Sequence, residues 1–215
     1  MFQQITPIVR NLLIANIAVY MIQSILRIDL STIFAYHNFS SHEMGLFNPI
    51  QIFSYMFLHS QVNGGHIFSN MFGLFMFGPM LERFMGSKRF LILYIVSGIG
   101  ACLLYGGINF YEISKYAVDS PEYTIMMSTP MVGASGAIFG MLGAFARLFP
   151  NTEMIIFPLP IPIKAKYLVS LYALFEIFSG VYNIMPGVAH FAHIGGLIFG
   201  ILLINYWNKK KDRFY

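Results

Sequence analysis

The sequence predicts an all-α membrane protein: a six transmembrane helix bundle with a long interfacial loop between spans 1 and 2. Composition comes first. Of 215 residues, 57% are hydrophobic and only 10% charged, against about 25% charged in an average soluble domain. Such a chain lacks the polar surface to stay in water. Second, the apolar residues gather into six stretches, each long enough to cross ~30 Å of hydrocarbon as a helix. Third, the basic residues cluster beside those stretches rather than along one soluble face, which excludes a nucleic-acid reading of the +4 net charge.

In the first stretch, near 9–27, Arg10 precedes an apolar run from Asn11 to Leu26, and the exit Arg27-Ile28-Asp29-Leu30 carries no small-x-small cleavage site, so it reads as a retained span. The segment 28–64 is too polar to span and too apolar for a free loop; an interfacial or re-entrant element is expected. The remaining spans are expected near 65–84, 90–109, 131–149, 166–184 and 189–207. They use nearly the whole chain, so residues 1–215 read as one transmembrane domain. The single cysteine, Cys102, lies in an apolar span and has no intrachain partner for a disulfide.

Charge bias orients the bundle. Arg10, Arg83, Lys88, Arg89, Arg147, Lys164, Lys166, Lys209, Lys210, Lys211 and Arg213 fall on one side, eleven of the thirteen basic residues. Arg27 and Lys115 fall on the other, with Asp29, Glu43, Glu112, Asp119 and Glu122. The positive-inside rule then places both termini in the cytoplasm. On this topology the fourth span enters from outside near Met131, putting Ser135 about 6 Å down its axis. His193 in the sixth span, and His66 and Asn70 in the second, fall in the same outer layer.

That layer has the parts of a serine hydrolase. An alcohol needs a neighbouring base to become a nucleophile, and imidazole is the usual one near neutral pH. Ser135 in Gly133-Ala134-Ser135-Gly136 and His193 in Ala192-His193-Ile194-Gly195-Gly196 supply the pair. Away from the span ends, the only carboxylate within a span is Glu176; it reads as neutral or paired inside the bundle, so nothing acidic is expected as a third member. The economical reading is a Ser–His dyad with the imidazole oriented by packing. Phe139, four residues after Ser135, shares its helix face and could stack on the ring. His66 and Asn70, spaced i, i+4, could donate to an oxyanion together with the Ser135 N–H. Gly136 and Gly140, and Gly196 and Gly200, form small-xxx-small pairs that permit close helix approach.

Each feature has a plainer reading. Gly-x-Ser-Gly also serves as a packing motif in membrane helices, His193 could bond a backbone carbonyl, and His66 and Asn70 could bridge helices. His190 and His193, spaced i, i+3, could bind metal, but no carboxylate or cysteine is expected nearby and no His-Glu-x-x-His occurs. His37 and His42 fall in the outer loop and need no special role; His59 is left without one. The coincidence of depth and side carries the enzymatic reading.

These residues resemble the rhomboid family of intramembrane serine proteases. Gly133-Ala134-Ser135-Gly136 is similar to its Gly-x-Ser-Gly, and Ala192-His193-Ile194-Gly195-Gly196 to its Ala-His-x-x-Gly. His66-Ile67-Phe68-Ser69-Asn70 resembles its His-x-x-x-Asn element, preceded by a typical Phe57-Leu58-His59. Gly78 with Glu82-Arg83 resembles the turn after the second span, and Pro150–Glu153 and Pro162–Lys166 the cytoplasmic connection. The match runs from about Phe47 to Tyr206.

The resemblance implies a rhomboid-like core; this chain departs from the family in that only the six-span core is expected, with no cytosolic domain or seventh span. The resemblance implies Ser135 as nucleophile, His193 as base, His66 and Asn70 in the oxyanion hole, and neither cofactor nor metal. The position often held by tyrosine is Phe139 here. Expected substrates are membrane proteins with one or a few spans, cut near the outer interface. The expected location is the bacterial plasma (inner) membrane, with the lipid bilayer as solvent and no nucleic acid as partner. The alternatives are a non-catalytic rhomboid-like binder of membrane helices, and a small transporter with the polar layer as its substrate site.

Overall fold

A computed structural model describes residues 5–39, 46–118, 120–156 and 159–209. His42, Glu43, Asp119, Lys210, Lys211 and Arg213 lie outside the described residues. The fold is mostly helical. α1 (Pro7–Leu26), α4 (Gly64–Met85), α5 (Ser87–Ile113), α7 (Ser135–Leu148), α8 (Ala165–Val181) and α9 (His190–Lys209) follow the order of the six apolar stretches. Among them α1, α5 and α9 are both long and apolar enough to cross a membrane. The short helices are α2 (Ser31–Phe34), α3 (Gln51–Ser54) and α6 (Pro121–Ser128), with a 3-10 turn at Tyr55–Phe57.

The helices α5, α7 and α9 pack most intimately and form the centre. The seam between α7 and α9 is backbone on backbone. A Cβ on Gly196 would land on the Gly136 carbonyl, and one on Gly200 on the Gly140 carbonyl, so the anticipated glycine pairs face each other. Gly195 sits as tightly on α5, where a Cβ would meet the Gly100 carbonyl oxygen at 2.7 Å. Small residues are the means by which membrane helices approach closely, because no water is released to drive them together.

Around this centre, α4 packs on both α7 and α5, α1 packs chiefly on α4, and α8 lies against α9 and α7. The carboxylate of Glu82, near the end of α4, accepts the Ile8 and Val9 N–H groups at 3.0 Å each and so satisfies two donors in the first turn of α1. The Ser87 hydroxyl adds a third contact at 2.6 Å. Only Gly86, with φ +82, separates α4 from α5. A residue with a Cβ would be strained there.

The described residues between α1 and α4 pack together and against the bundle. Gln51 organises it: Oε1 accepts the His37 and Asn48 N–H groups, and Nε2 donates to the Leu46 carbonyl at 2.9 Å and the Ile33 carbonyl at 3.2 Å. Tyr55 donates its hydroxyl to the Gly98 carbonyl of α5 at 2.8 Å. Tyr36, Tyr55, Met56 and Leu58 are buried.

Two elements differ from expectation. The fourth stretch, expected from 131, becomes helical only at Ser135, because Gly133 adopts φ +127 and residues 131–134 run outside the helix. Ser135 is therefore the first residue of α7 rather than a point one turn down it. The connection after α7 forms an antiparallel ribbon, β1 (Glu153–Ile156) with β2 (Leu159–Lys164), pairing Glu153 with Lys164. A two-stranded ribbon has two unpaired edges, which is where prolines such as Pro162 are tolerated.

Candidate active site

Ser135 is placed by the chain just before it. Met131 exchanges backbone hydrogen bonds with Tyr36, 3.0 and 2.8 Å, and the Gly133 N–H donates to the Tyr55 carbonyl at 3.1 Å. The packed segment between α1 and α4 thus braces the entry to α7. Gly133 is required twice over. Its φ favours glycine, and a Cβ there would stand 2.8 Å from Nε2 and 3.0 Å from Cε1 of His66. The imidazole of His66 lies against this backbone, two residues from Ser135.

His193 comes from the first turn of α9. The glycine seam brings α9 against α7, and Nε2 of His193 lies 2.8 Å from Oγ of Ser135. The Phe139 ring stacks on the imidazole with centroids 4.2 Å apart and planes 4° from parallel. On its other flank Phe139 meets Tyr172 of α8 at 4.9 Å. Ser135 is half-buried and His193 buried.

The expectation that His193 has no acidic neighbour is corrected. Glu176 Oε2 lies 2.9 Å from His193 Nδ1, on the edge of the ring opposite Ser135. The same oxygen lies 2.6 Å from His190 Nδ1, and His190 Nε2 is 2.8 Å from the Ile184 carbonyl. Glu176 sits 14 and 17 residues before the two histidines, on α8; the turn through Asn183 and Met185, both at positive φ, folds it back onto α9. A carboxylate therefore does lie beside His190 and His193, and possible ligand atoms of the three are within 4.8 Å of one another. The two Nδ1–Oε2 separations are hydrogen-bond lengths. Donors held tetrahedrally around zinc at about 2.0–2.1 Å would stand roughly 3.3 Å apart.

His66 and Asn70 lie in the first two turns of α4. Nδ1 of His66 accepts the Ser60 N–H at 3.3 Å. A neutral ring so engaged carries its proton on Nε2, the nitrogen that faces Gly133. Asn70 is buried and gives one amide N–H to the His66 carbonyl at 2.9 Å, leaving its second for another acceptor. Ser135 opens α7, so its own N–H has no acceptor within the helix. Ser135, His193 and the His66 ring thus gather where α7, α9 and α4 begin, with Asn70 one turn further along α4, at helix ends whose backbone dipoles favour developing negative charge.

Other candidates are elsewhere. His59 is buried, with its ring 5.3 Å from that of His66. His37 is buried, and its backbone N–H donates to Gln51 Oε1. Cys102 is buried and reduced.

The fold and the apolar helices define an integral membrane protein, and its polar residues converge at one end of a glycine-packed helix pair. The Rhomboid domain profile matches residues 47–209, and the chain belongs to the rhomboid family, whose members are typically intramembrane serine proteases. Rhomboid protease AarA of Providencia stuartii is 38% identical over 154 residues, 69% of this chain and 52% of that protein. Mitochondrial Rhomboid protein 1 of Saccharomyces cerevisiae is 29% identical over 166 residues, covering 77% and 44%. RHOMBOID-like protein 1 of Arabidopsis thaliana is 34% identical over 154 residues, covering 71% and 33%. The chain thus spans about half or less of the length of these curated relatives.

Proposed function

We propose that the protein is an intramembrane serine endopeptidase with Ser135 as nucleophile and His193 as general base. The observation that carries this reading is the 2.8 Å contact between Ser135 Oγ and His193 Nε2. In acylation, Oγ bonds to the carbonyl carbon of the scissile peptide while its proton passes to Nε2. The resulting oxyanion is met by His66, Asn70 and the Ser135 N–H. His193 then gives the proton to the leaving amine as the C–N bond breaks, and water repeats the sequence to release the acid. Phe139 holds the imidazole plane. No metal or cofactor is needed for these steps.

The same reading takes all six apolar helices as spans, with both termini in the cytoplasm of a bacterial inner membrane and the site open outward. The chain 1–215 acts as one domain. Its substrates are membrane proteins with one or a few spans, cut near the outer interface. A substrate helix satisfies its backbone internally, so it must unwind before a carbonyl reaches Ser135. Glycine, proline and polar residues near the top of the span lower that cost. We place the lateral entrance at α8, whose Leu171, Leu174, Phe175 and Phe178 are exposed, with the 111–130 and 185–188 segments as lids.

Cleavage of a single-span reporter co-reconstituted in liposomes tests the proposal. Wild type should cut near the outer boundary, and Ser135→Ala should lose activity by at least about 10³-fold, since removing the nucleophile of a Ser–His–Asp site costs about 10⁶. Equal cutting by the two would overturn it. Reporter binding without turnover, together with no labelling of Ser135 by a fluorophosphonate, would favour the non-catalytic binder.

A further inference from the structure

We propose that Glu176, secured by His190, is a positioning residue that sets the tautomer of His193. The inference rests on the proposed roles of Ser135 and His193. It starts from four contacts that form one chain: Ser135 Oγ to His193 Nε2, His193 Nδ1 to Glu176 Oε2, Glu176 Oε2 to His190 Nδ1, and His190 Nε2 to the Ile184 carbonyl.

Protons along this chain are constrained by what each atom can do. The Ile184 carbonyl only accepts, so His190 Nε2 carries a hydrogen. One further proton is then shared across the 2.6 Å contact between His190 Nδ1 and Glu176 Oε2. Either the carboxyl keeps it and donates to a neutral His190, or His190 holds it and faces a carboxylate. In both arrangements Oε2 retains a lone pair toward His193. His193 Nδ1 is therefore the donor, and its Nε2 has a free lone pair aimed at Ser135 Oγ. That is the tautomer a general base must adopt. Stacking on Phe139 fixes the plane of the ring but is indifferent to which nitrogen bears the hydrogen.

Burial makes the constraint effective. Glu176 is 3% exposed and His190 5%, so bulk water does not compete for these bonds. The histidine pair also explains why a carboxyl is retained in an apolar helix, since an unpaired one there is costly.

A carboxamide in place of the Glu176 carboxyl reverses the logic. With His190 neutral and its Nε2–H committed to Ile184, its Nδ1 needs a donor, so the NH2 of the new amide turns toward it. That NH2 also faces His193 Nδ1, which then becomes an acceptor and moves its hydrogen to Nε2. The Ser135 proton loses its destination.

The test is made on the full chain in detergent and liposomes. In 15N-histidine spectra of wild type, the resonances lost on His193→Ala should report hydrogen on Nδ1. Glu176→Gln should move it to Nε2 and lower kcat about 100-fold or more, with KM changed less than about threefold; a wrong-tautomer base in a Ser–His–Asp site costs about 10⁴. Adding His190→Gln to that variant frees the introduced amide to turn its oxygen to His193, and should recover kcat at least about tenfold. A wild-type His193 protonated on Nε2, or Glu176→Gln with unaltered kcat and tautomer, would overturn the inference. Ser135→Ala in the same cleavage assay separates the two proposals: if it cleaves like wild type, the catalytic reading fails, while the wild-type spectrum still decides the role of Glu176.

Discussion

At the scale of single residues, the imidazole of His193 is held on three sides by different kinds of force. Ser135 and Glu176 bond its two nitrogens, and Phe139 covers a face at 4.2 Å. The stack contributes about 0.5–1.5 kcal/mol beyond the area it buries. Replacing Phe139 by Ala should therefore reduce kcat about 2- to 10-fold, while Phe139→Tyr, which keeps the ring, should stay within about twofold of wild type in the liposome assay. A Phe139→Ala rate equal to wild type would show that the two nitrogen contacts suffice. The geometry also separates what was legible in the residues from what was not. Ser135, His193, Phe139, His66 and Asn70 announce themselves because polar groups are rare in apolar stretches and their spacing on a helix fixes their relative face. Glu176 was visible as a lone carboxylate, but nothing in the sequence pointed it at His190 and His193, and no acidic neighbour was expected there. Its rotation toward them depends on the turn at Asn183 and Met185, which side-chain periodicity does not encode.

At the scale of elements, the seam between α7 and α9 carries the site. Gly136 and Gly140 meet Gly196 and Gly200 with no side chain between, so register and separation are both fixed. Gly196→Val would drive its side chain into the Gly136 backbone, and overpacking of this kind costs about 1–3 kcal/mol or more. The variant should unfold at lower temperature and lose cleavage, because Ser135 and His193 are set by that separation. Gly107→Ala on α5 is the matched control: a Cβ there meets nothing within 4 Å, and the protein should keep its stability and rate. Unfolding curves in detergent, read beside turnover, check both. The glycine pairs were readable at four-residue spacing, and the hydropathy pattern located the six principal helices to within a few residues for most ends. The β1–β2 ribbon was not readable, since alternating prolines look like a coil until a partner strand defines which edge is free. Nor was the late start of α7, which one backbone angle at Gly133 decides.

At the scale of the whole molecule, the two ends of the bundle carry different charge, and this fixes an expected orientation. The proposed cytoplasmic side includes Arg147, Lys164 and Lys166 around the ribbon; the opposite side includes Glu112 and Glu122 near α6. Cysteines introduced at Glu122 and at Glu153 should behave oppositely toward an impermeant maleimide added to intact cells, with position 122 labelled and 153 protected. The native Cys102 is 0% exposed and should give no background. Labelling of 153 from outside would invert the topology and, with it, the side on which substrates are cut.

The carboxyl and the imidazole it steadies belong to different helices. Glu176 rides on α8, which we place at the entrance, whereas His193 belongs to α9, which is locked to α7. A hydrogen bond of 2.9 Å does not survive a helix displacement of a few ångströms. On the proposed entrance, a swing of α8 to admit a guest would take the steadying carboxyl with it, and the proposed base would idle until the helix returned. Admission and cutting would then be separated in time, with the door and the trigger one piece.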